Sequence, residues 1–212
     1  MRIVAGDLGG RVLRAPRGDA TRPTSEKVRE ALFSILGPPG ADDQILDLFA
    51  GAGGLGLEAL SRGARHATFV DSSRAALAAL QQNVTELGVA TRVTIVAGDA
   101  VRLATTLRPP AAAAANSGQA AGEHAAGEHA APRPPTWRWV FIDPPYASDL
   151  AVRAAMALPA EAMSARTEVV IEHDRRNAPP DRLGDLLRRD LRRYGDTLIS
   201  LYRPRPEQPC QV

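Results

Sequence analysis

The 212-residue chain predicts an α/β fold built on a mostly parallel, doubly wound sheet, and three observations carry that prediction. Short apolar runs of strand length recur along it. Stretches of helical periodicity separate them. A glycine-rich turn joins the first run to the next helical stretch.

The elements follow in chain order. RIVAG (2–6) and RVLRAP (11–16) flank Asp7-Leu8-Gly9-Gly10, which reads as a β-hairpin ahead of the main domain. Val28, Ala31, Leu32, Ile35 and Leu36 recur at helical spacing until Gly37-Pro38-Pro39 stops them. Five buried-strand runs come next: ILDLF (45–49), ATFVD (67–71), RVTIV (92–96), WVFID (139–143) and EVVIE (168–172). The clearest intervening helix covers 73–87, with Leu77, Leu80, Val84 and Leu87 on one face and Gly88 as its stop. DLRRY (190–194) and TLISLYR (197–203), joined across Gly195-Asp196, form an antiparallel hairpin at one edge and bring the strands to seven. The expected organisation is an extension over 1–37, a main domain over 38–204 and a tail over 205–212.

Residues 108–136 depart from this pattern. They hold no large apolar residue before Trp137 and contain the tandem repeat AGEHA-AGEHA at 121–130. Such a segment buries too little apolar surface to offset chain entropy, so a disordered or loosely helical insertion is expected. His124 and His129 lie in the repeat, where a flexible backbone makes a poor metal site, and no metal is expected.

A net charge of +2 excludes both a polybasic tail and an acidic solubiliser. Its distribution is uneven: residues 1–30 carry seven basic and four acidic groups, and residues 175–205 carry nine and four. Basic ends suit a polyanionic partner. Lys27 is the only lysine among 26 basic residues, which skewed codon usage explains. The single cysteine, Cys210, forms no intrachain disulfide, and no signal-like or membrane-spanning apolar stretch is present, so a soluble cytoplasmic protein is expected.

The glycine turn is Asp47-Leu48-Phe49-Ala50-Gly51-Ala52-Gly53-Gly54-Leu55-Gly56, a G-x-G-x-x-G spacing between strand and helix. Taken alone it is also compatible with a tight connection and no ligand. Asp71, twenty residues beyond Gly51, ends the second strand, where a carboxylate can accept two ribose hydroxyls. Asp99 follows the third strand and could accept from an adenine amino group. The carboxylate of Asp47 would repel a diphosphate but suit an ammonium, so the acidic set favours S-adenosylmethionine over NAD.

WVFID runs into Asp143-Pro144-Pro145-Tyr146, the one proline pair of five that follows an Asp at a strand end and precedes an aromatic. Two prolines stiffen the backbone and leave carbonyls exposed. If Asp143 and the Pro144 carbonyl each accept one N–H of an amine conjugated to a ring, its lone pair is drawn toward an incoming methyl group, and Tyr146 can stack on the ring. In a nucleic acid that amine must first be unstacked.

With these residues in view, the chain resembles the RsmD family of bacterial 16S rRNA guanine-N2 methyltransferases, within the class I S-adenosylmethionine-dependent methyltransferases. The resemblance rests on MRIVAGDLGGRVLRAP at the start, RPTSEKVREALFSIL at 22–36, LDLFAGAGGLGLEALSRGA at 46–64, DPPY at 143–146 and RRYGDTLISLYR at 192–203. It implies a Rossmann-like class I methyltransferase fold and methylation of a guanine N2, that of guanine 966, in small-subunit particles. It further implies cofactor contacts at Asp47, Phe49, Ala50, Gly51, Gly53, Gly56, Asp71, Ser72, Asp99 and Ala100, and a target amine at Asp143, Pro144, Pro145 and Tyr146. The hairpin and the 22–36 segment would cover the cofactor and hold RNA, with Arg2, Arg11, Arg14, Arg22, Thr24, Lys27 and Arg29 as contacts. The implied partners are 16S rRNA and ribosomal proteins, met by a monomer. The rivals are a DNA adenine-N6 methyltransferase, a non-catalytic cofactor-binding assembly factor and, last, an NAD-dependent oxidoreductase.

Overall fold

A computed structural model of the chain describes residues 1–16, 25–111, 135–145 and 149–206. The elements are α1 (Glu26–Leu36), β1 (Gln44–Leu48), α2 (Gly54–Ser61), β2 (His66–Asp71), α3 (Arg74–Leu87), β3 (Val93–Ala97), α4 (Ala100–Ala104), β4 (Trp137–Ile142), α5 (Leu150–Ala157), β5 (Glu168–His173), β6 (Arg182–Leu183), β7 (Leu186–Tyr194) and β8 (Thr197–Pro204). They form one eight-stranded sheet in the order β3-β2-β1-β4-β5-β8-β7-β6. The first five strands of that order are parallel, and β8, β7 and β6 continue it antiparallel. The strand count exceeds the expected seven because Arg182–Leu183 pairs with Leu186–Leu187 as a short edge.

Alternation along the strands sorts the core into two layers. On one face Ile45, Phe69, Trp139, Phe141 and Val170 pack against Leu32 and Phe33 of α1, Leu57 of α2 and Leu80 of α3. On the other, Leu46, Leu48, Val140, Ile142 and Ile171 pack against Ala100 of α4 and Ala151 and Ala154 of α5. The Phe33 ring meets Trp139 edge-on at 5.6 Å, which fixes α1 across the strand that carries Asp143. Ser25 caps α1 by accepting from the Val28 amide, and Gly37, at φ 73°, ends it as expected.

The expected N-terminal hairpin is short: around the antiparallel bridge of Arg2 with Val12, Ile3 N donates to the Arg11 carbonyl, Gly10 N to the Ile3 carbonyl and Leu13 N to the Met1 carbonyl, and the pairing goes no further. A competing set of acceptors on α2 is the reason. The buried Glu58 carboxylate takes the amides of Val4 and Ala5 at 2.7 and 3.1 Å, and Ser61 accepts from the Leu8 amide while its hydroxyl donates to the Ala5 carbonyl. Residues 4–8 therefore bond to the helix instead of to a second strand.

The expected insertion begins on the core, and β4 starts two residues earlier than its expected run at 139, directly after the insertion's expected end at 136. Pro109 is buried, the Pro110 carbonyl accepts from Gln44 Nε2 at 2.9 Å, and Trp137 already belongs to β4. Gln44 opens β1, so the chain leaves the described core at the end of the sheet opposite the glycine turn. The repeat with His124 and His129 lies outside the described residues.

Candidate active site

Between β2-β1 and β4-β5 the sheet order reverses, and the crevice outside the carboxyl ends of these strands is where open α/β sheets take ligands. The glycine turn, Asp71, Asp99 and Asp143 all lie at that edge. β1 ends at Leu48, so Phe49 belongs to the turn and not, as its apolar run suggested, to the strand. It is the only non-glycine among the described residues with positive φ, 61°. An L-residue held in that region costs on the order of 1 kcal/mol or more, and such strain concentrates at ligand loops.

The loop amides are tied down from below. Gly51 donates to Asp71 Oδ2 at 2.8 Å, Gly53 to the Ala50 carbonyl at 2.8 Å, and Gly56 to Asp47 Oδ2 at 2.9 Å. A dinucleotide's diphosphate would need such N–H groups free at the helix N-terminus. Asp71 also accepts the Ser73 amide on its second oxygen at 2.8 Å, and each carboxylate oxygen keeps a further lone pair for a hydroxyl.

Asp47 differs from its expected role. Strand alternation turns it under α2, where it is 2% exposed, and burial pushes its carboxyl up to about 8, helped by the nearby Asp71 charge and opposed by the Gly56 amide. At neutral pH it is mostly a neutral acid that holds Gly56, so the charge argument against a diphosphate does not rest on it. The Gly56 amide, spent on Asp47 in the first turn of α2, carries what remains of it.

The three glycines have separate reasons. A Cβ on Gly56 would sit 2.3 Å from the Phe69 ring, so packing requires that glycine, whereas Gly53 is required by its backbone at φ 87°, with Leu80 2.5 Å from a Cβ there. Gly51, at φ 56°, faces open space. Only Gly51 of these forms a surface that a ligand can lie against. Ser72 is exposed beside it. Asp99 is exposed at the end of β3, where it caps α4 by accepting the Arg102 amide at 2.9 Å, and Ala100 is buried behind it. At the end of β4, Asp143 is half-buried, Pro144 buried and Pro145 exposed. Tyr146 lies outside the described residues, as do Arg22 and Thr24.

Carboxylate acceptors at Asp71 and Asp99 and one open glycine surface at Gly51 fit a ligand with ribose hydroxyls and positive charge. S-adenosylmethionine is such a ligand.

The proposed RNA contacts divide. Arg29 is fully buried and donates to the Arg2 carbonyl at 2.6 Å, with the Gly54 carbonyl 3.5 Å away; burial pulls its guanidinium below its usual range. It clamps the N-terminal segment and is not an RNA contact. Arg2 pairs with Glu26, Arg14 with Glu86, and Arg11 donates to the Glu86 carbonyl, all at the surface. Lys27 is exposed.

Residues missed in the sequence hold this cover in place. Asn83 is 1% exposed, and its amide accepts from Arg14 N at 2.8 Å while donating to the carbonyls of Arg14 and Ala52 at 3.1 and 3.0 Å. Ala52 is in the glycine turn, so one side chain joins cover and turn. Glu58 is balanced by Arg62 at 2.8 Å, whose guanidinium lies 4.7 Å over the Phe33 ring. A Cβ on Gly54 would meet the Met1 sulfur at 2.9 Å, so the first residue of the chain packs on the start of α2.

Residues 1–115 and 113–203 match the family described as Conserved hypothetical protein 95, the RsmD-type methyltransferases. The chain belongs to this family. It is 35% identical over 207 residues, 97% of this chain and all of the relative, to YlbH of Bacillus subtilis, whose name assigns it provisionally to the rRNA methyltransferases. It is 47% identical over 87 residues to the ribosomal RNA small subunit methyltransferase D of Escherichia coli, covering 41% of this chain and 44% of that one. Among solved structures, the Escherichia coli methyltransferase-like protein yhhF superposes with a TM-score of 0.72 at 28% identity, over 97% of this chain and 98% of that one. Membership of the RsmD family accounts for the class I methyltransferase fold.

Proposed function

We propose that this RsmD-family chain methylates the exocyclic N2 of a guanine in 16S rRNA, with S-adenosylmethionine as methyl donor and the assembling small subunit as substrate. The observation that carries the reading is the crevice itself: loop amides spent on Asp71, Ala50 and Asp47, facing an Asp143-Pro144 strand end across the switch point.

Asp71 would accept the ribose hydroxyls, Asp99 the adenine amino group, and Gly51 would let the ligand lie against the backbone. Bound there, S-adenosylmethionine supplies an electrophilic methyl carbon on a sulfonium. Asp143 and the Pro144 carbonyl would accept the two N–H bonds of the target amine, which turns its lone pair out of conjugation and toward that carbon. Both acceptors then stabilise the positive charge that develops on nitrogen, and Asp143 receives the surplus proton. Tyr146 would stack on the base. Arg2, Arg11, Arg14 and Lys27 remain at the surface as phosphate contacts, and Arg22 and Thr24 extend that set.

The relatives' names support rRNA as the substrate class. Incubation with labelled S-adenosylmethionine and, in parallel, unmodified small subunits, naked 16S rRNA and DNA tests the reading. Label in a 16S rRNA guanine is expected. Label in DNA adenine would overturn it, and absence of label everywhere would leave a binding protein without turnover.

A further inference from the structure

Two glutamates are buried on β5, at its opposite ends. Glu168, 1% exposed, accepts from Arg189 and Arg203 at 2.8 and 2.6 Å and anchors the β7-β8 hairpin far from the glycine turn. Glu172, 6% exposed, is at the reacting edge, and the mechanism above gives it no task.

Its position is fixed by register. Ile142 of β4 pairs with Ile171 of β5, so Asp143 and Glu172 are each one residue further along neighbouring parallel strands, which are about 4.8 Å apart. Phe141 and Val170, two residues before them, pack in the same layer of the core, so alternation puts Asp143 and Glu172 on the same face of the sheet. On its other flank Glu172 is paired with Ile199 of β8, an apolar neighbour.

Resting on the reading in which guanine N2 is the methyl acceptor, we infer that Glu172 is a specificity-determining residue that accepts the guanine N1–H. N1–H is next to the N2 amine on the Watson–Crick edge of the base. With N2 held at Asp143 and Pro144, the next acceptor along the edge must come from the neighbouring strand, and Glu172 is the side chain the register puts there. Adenine carries a lone pair at N1, and a carboxylate facing it gains no hydrogen bond and meets like charge density. The same pairing stabilises the methylated amine, because positive charge on N2 spreads into the ring toward N1.

An analogue that removes this contact is 2-aminopurine, which keeps the 2-amino group and lacks both the hydrogen on N1 and the oxygen on C6, so the comparison with Glu172→Gln assigns the effect to N1. We would install it at the target position of a 16S rRNA fragment assembled into small subunits, and compare kcat/KM for guanine and 2-aminopurine with the wild-type protein and Glu172→Gln. The wild type should prefer guanine by at least about 100-fold, as sites built to receive a donor do. Glu172→Gln, whose amide can donate to the bare N1, should bring the ratio within about tenfold, mainly by losing guanine turnover, with its S-adenosylmethionine affinity unchanged. An unaltered ratio in Glu172→Gln would overturn the inference. So would a wild type that uses both bases equally, a result that needs no variant to fold. Label appearing in adenine would overturn the guanine reading and this inference with it, whereas guanine labelling with undiminished use of 2-aminopurine would overturn the role of Glu172 alone.

Discussion

The Gly56 amide donates to the Asp47 carboxyl at 2.9 Å, so α2 begins over a buried acid instead of an open anion site. The acid is held up to about 8 by burial, and the protonated form is the one the fold prefers. A carboxyl raised above its unfolded value adds stability that is complete at low pH and is lost as pH rises through the folded value. Asp47→Asn keeps an oxygen for Gly56 and removes the titration. Its melting temperature should match or exceed that of the wild type, with the difference widening from about pH 4 to about pH 8 and flat above. Thermal melts across that range check the prediction, and a difference independent of pH would contradict it.

Gly56 and Gly51 should separate under substitution. Gly56→Ala drives a Cβ to 2.3 Å from the Phe69 ring, so α2 must shift off the sheet at a cost of about 2 kcal/mol or more. Gly51→Ala meets nothing within 4 Å and pays only for its positive φ, about 1 kcal/mol, while placing a methyl where the ligand would lie. Denaturant melts should therefore show the larger loss for Gly56→Ala. Calorimetric titration with S-adenosylmethionine should show a weakened affinity for Gly51→Ala in a protein that is still folded.

The cover over the turn depends on two side chains. Asn83→Ala leaves Arg14 N, Arg14 O and Ala52 O without their partner and should cost about 2–3 kcal/mol. Glu58→Gln replaces one of the two oxygens that accept from Val4 and Ala5 with an NH2 donor, and removes the charge opposite Arg62. Hydrogen exchange read by peptide should show residues 1–14 opening in both variants while β1 and β4 stay protected.

The alternating strands and helices were legible because the strand runs are short and mostly apolar and the helices show their stripes; β3, read as buried, is instead part-exposed at the sheet edge. The edge strand Arg182–Leu183 was not, since two residues carry no period. Asp71, Asp99 and Asp143 were legible as strand-end carboxylates. What Asp47 does was not, because its depth under α2 depends on which face of β1 the helix covers. Arg29 read as a basic contact because charge in a sequence carries no sign of burial. Glu58, Ser61 and Asn83 were missed for a related reason: their backbone partners are 31 to 69 residues away, and no spacing rule reaches them.

Excision of 112–134 should leave catalysis intact. The segment leaves and re-enters at the end of the sheet away from Gly51 and Asp143, and the cut spares Pro110, which accepts from Gln44. A shortened chain that binds S-adenosylmethionine but no longer transfers methyl groups would show the segment to act in catalysis.

The central claim is that Asp143 presents a guanine N2 to the donor methyl. Its most direct test is mass spectrometry of nucleosides from 16S rRNA after unmodified small subunits have reacted with the wild-type protein or with Asp143→Ala. The account predicts N2-methylguanosine at one position for the wild type. For Asp143→Ala it predicts a loss of at least about 100-fold in rate with S-adenosylmethionine binding retained. Full activity in the variant, or a methyl group on any atom other than guanine N2, would contradict it.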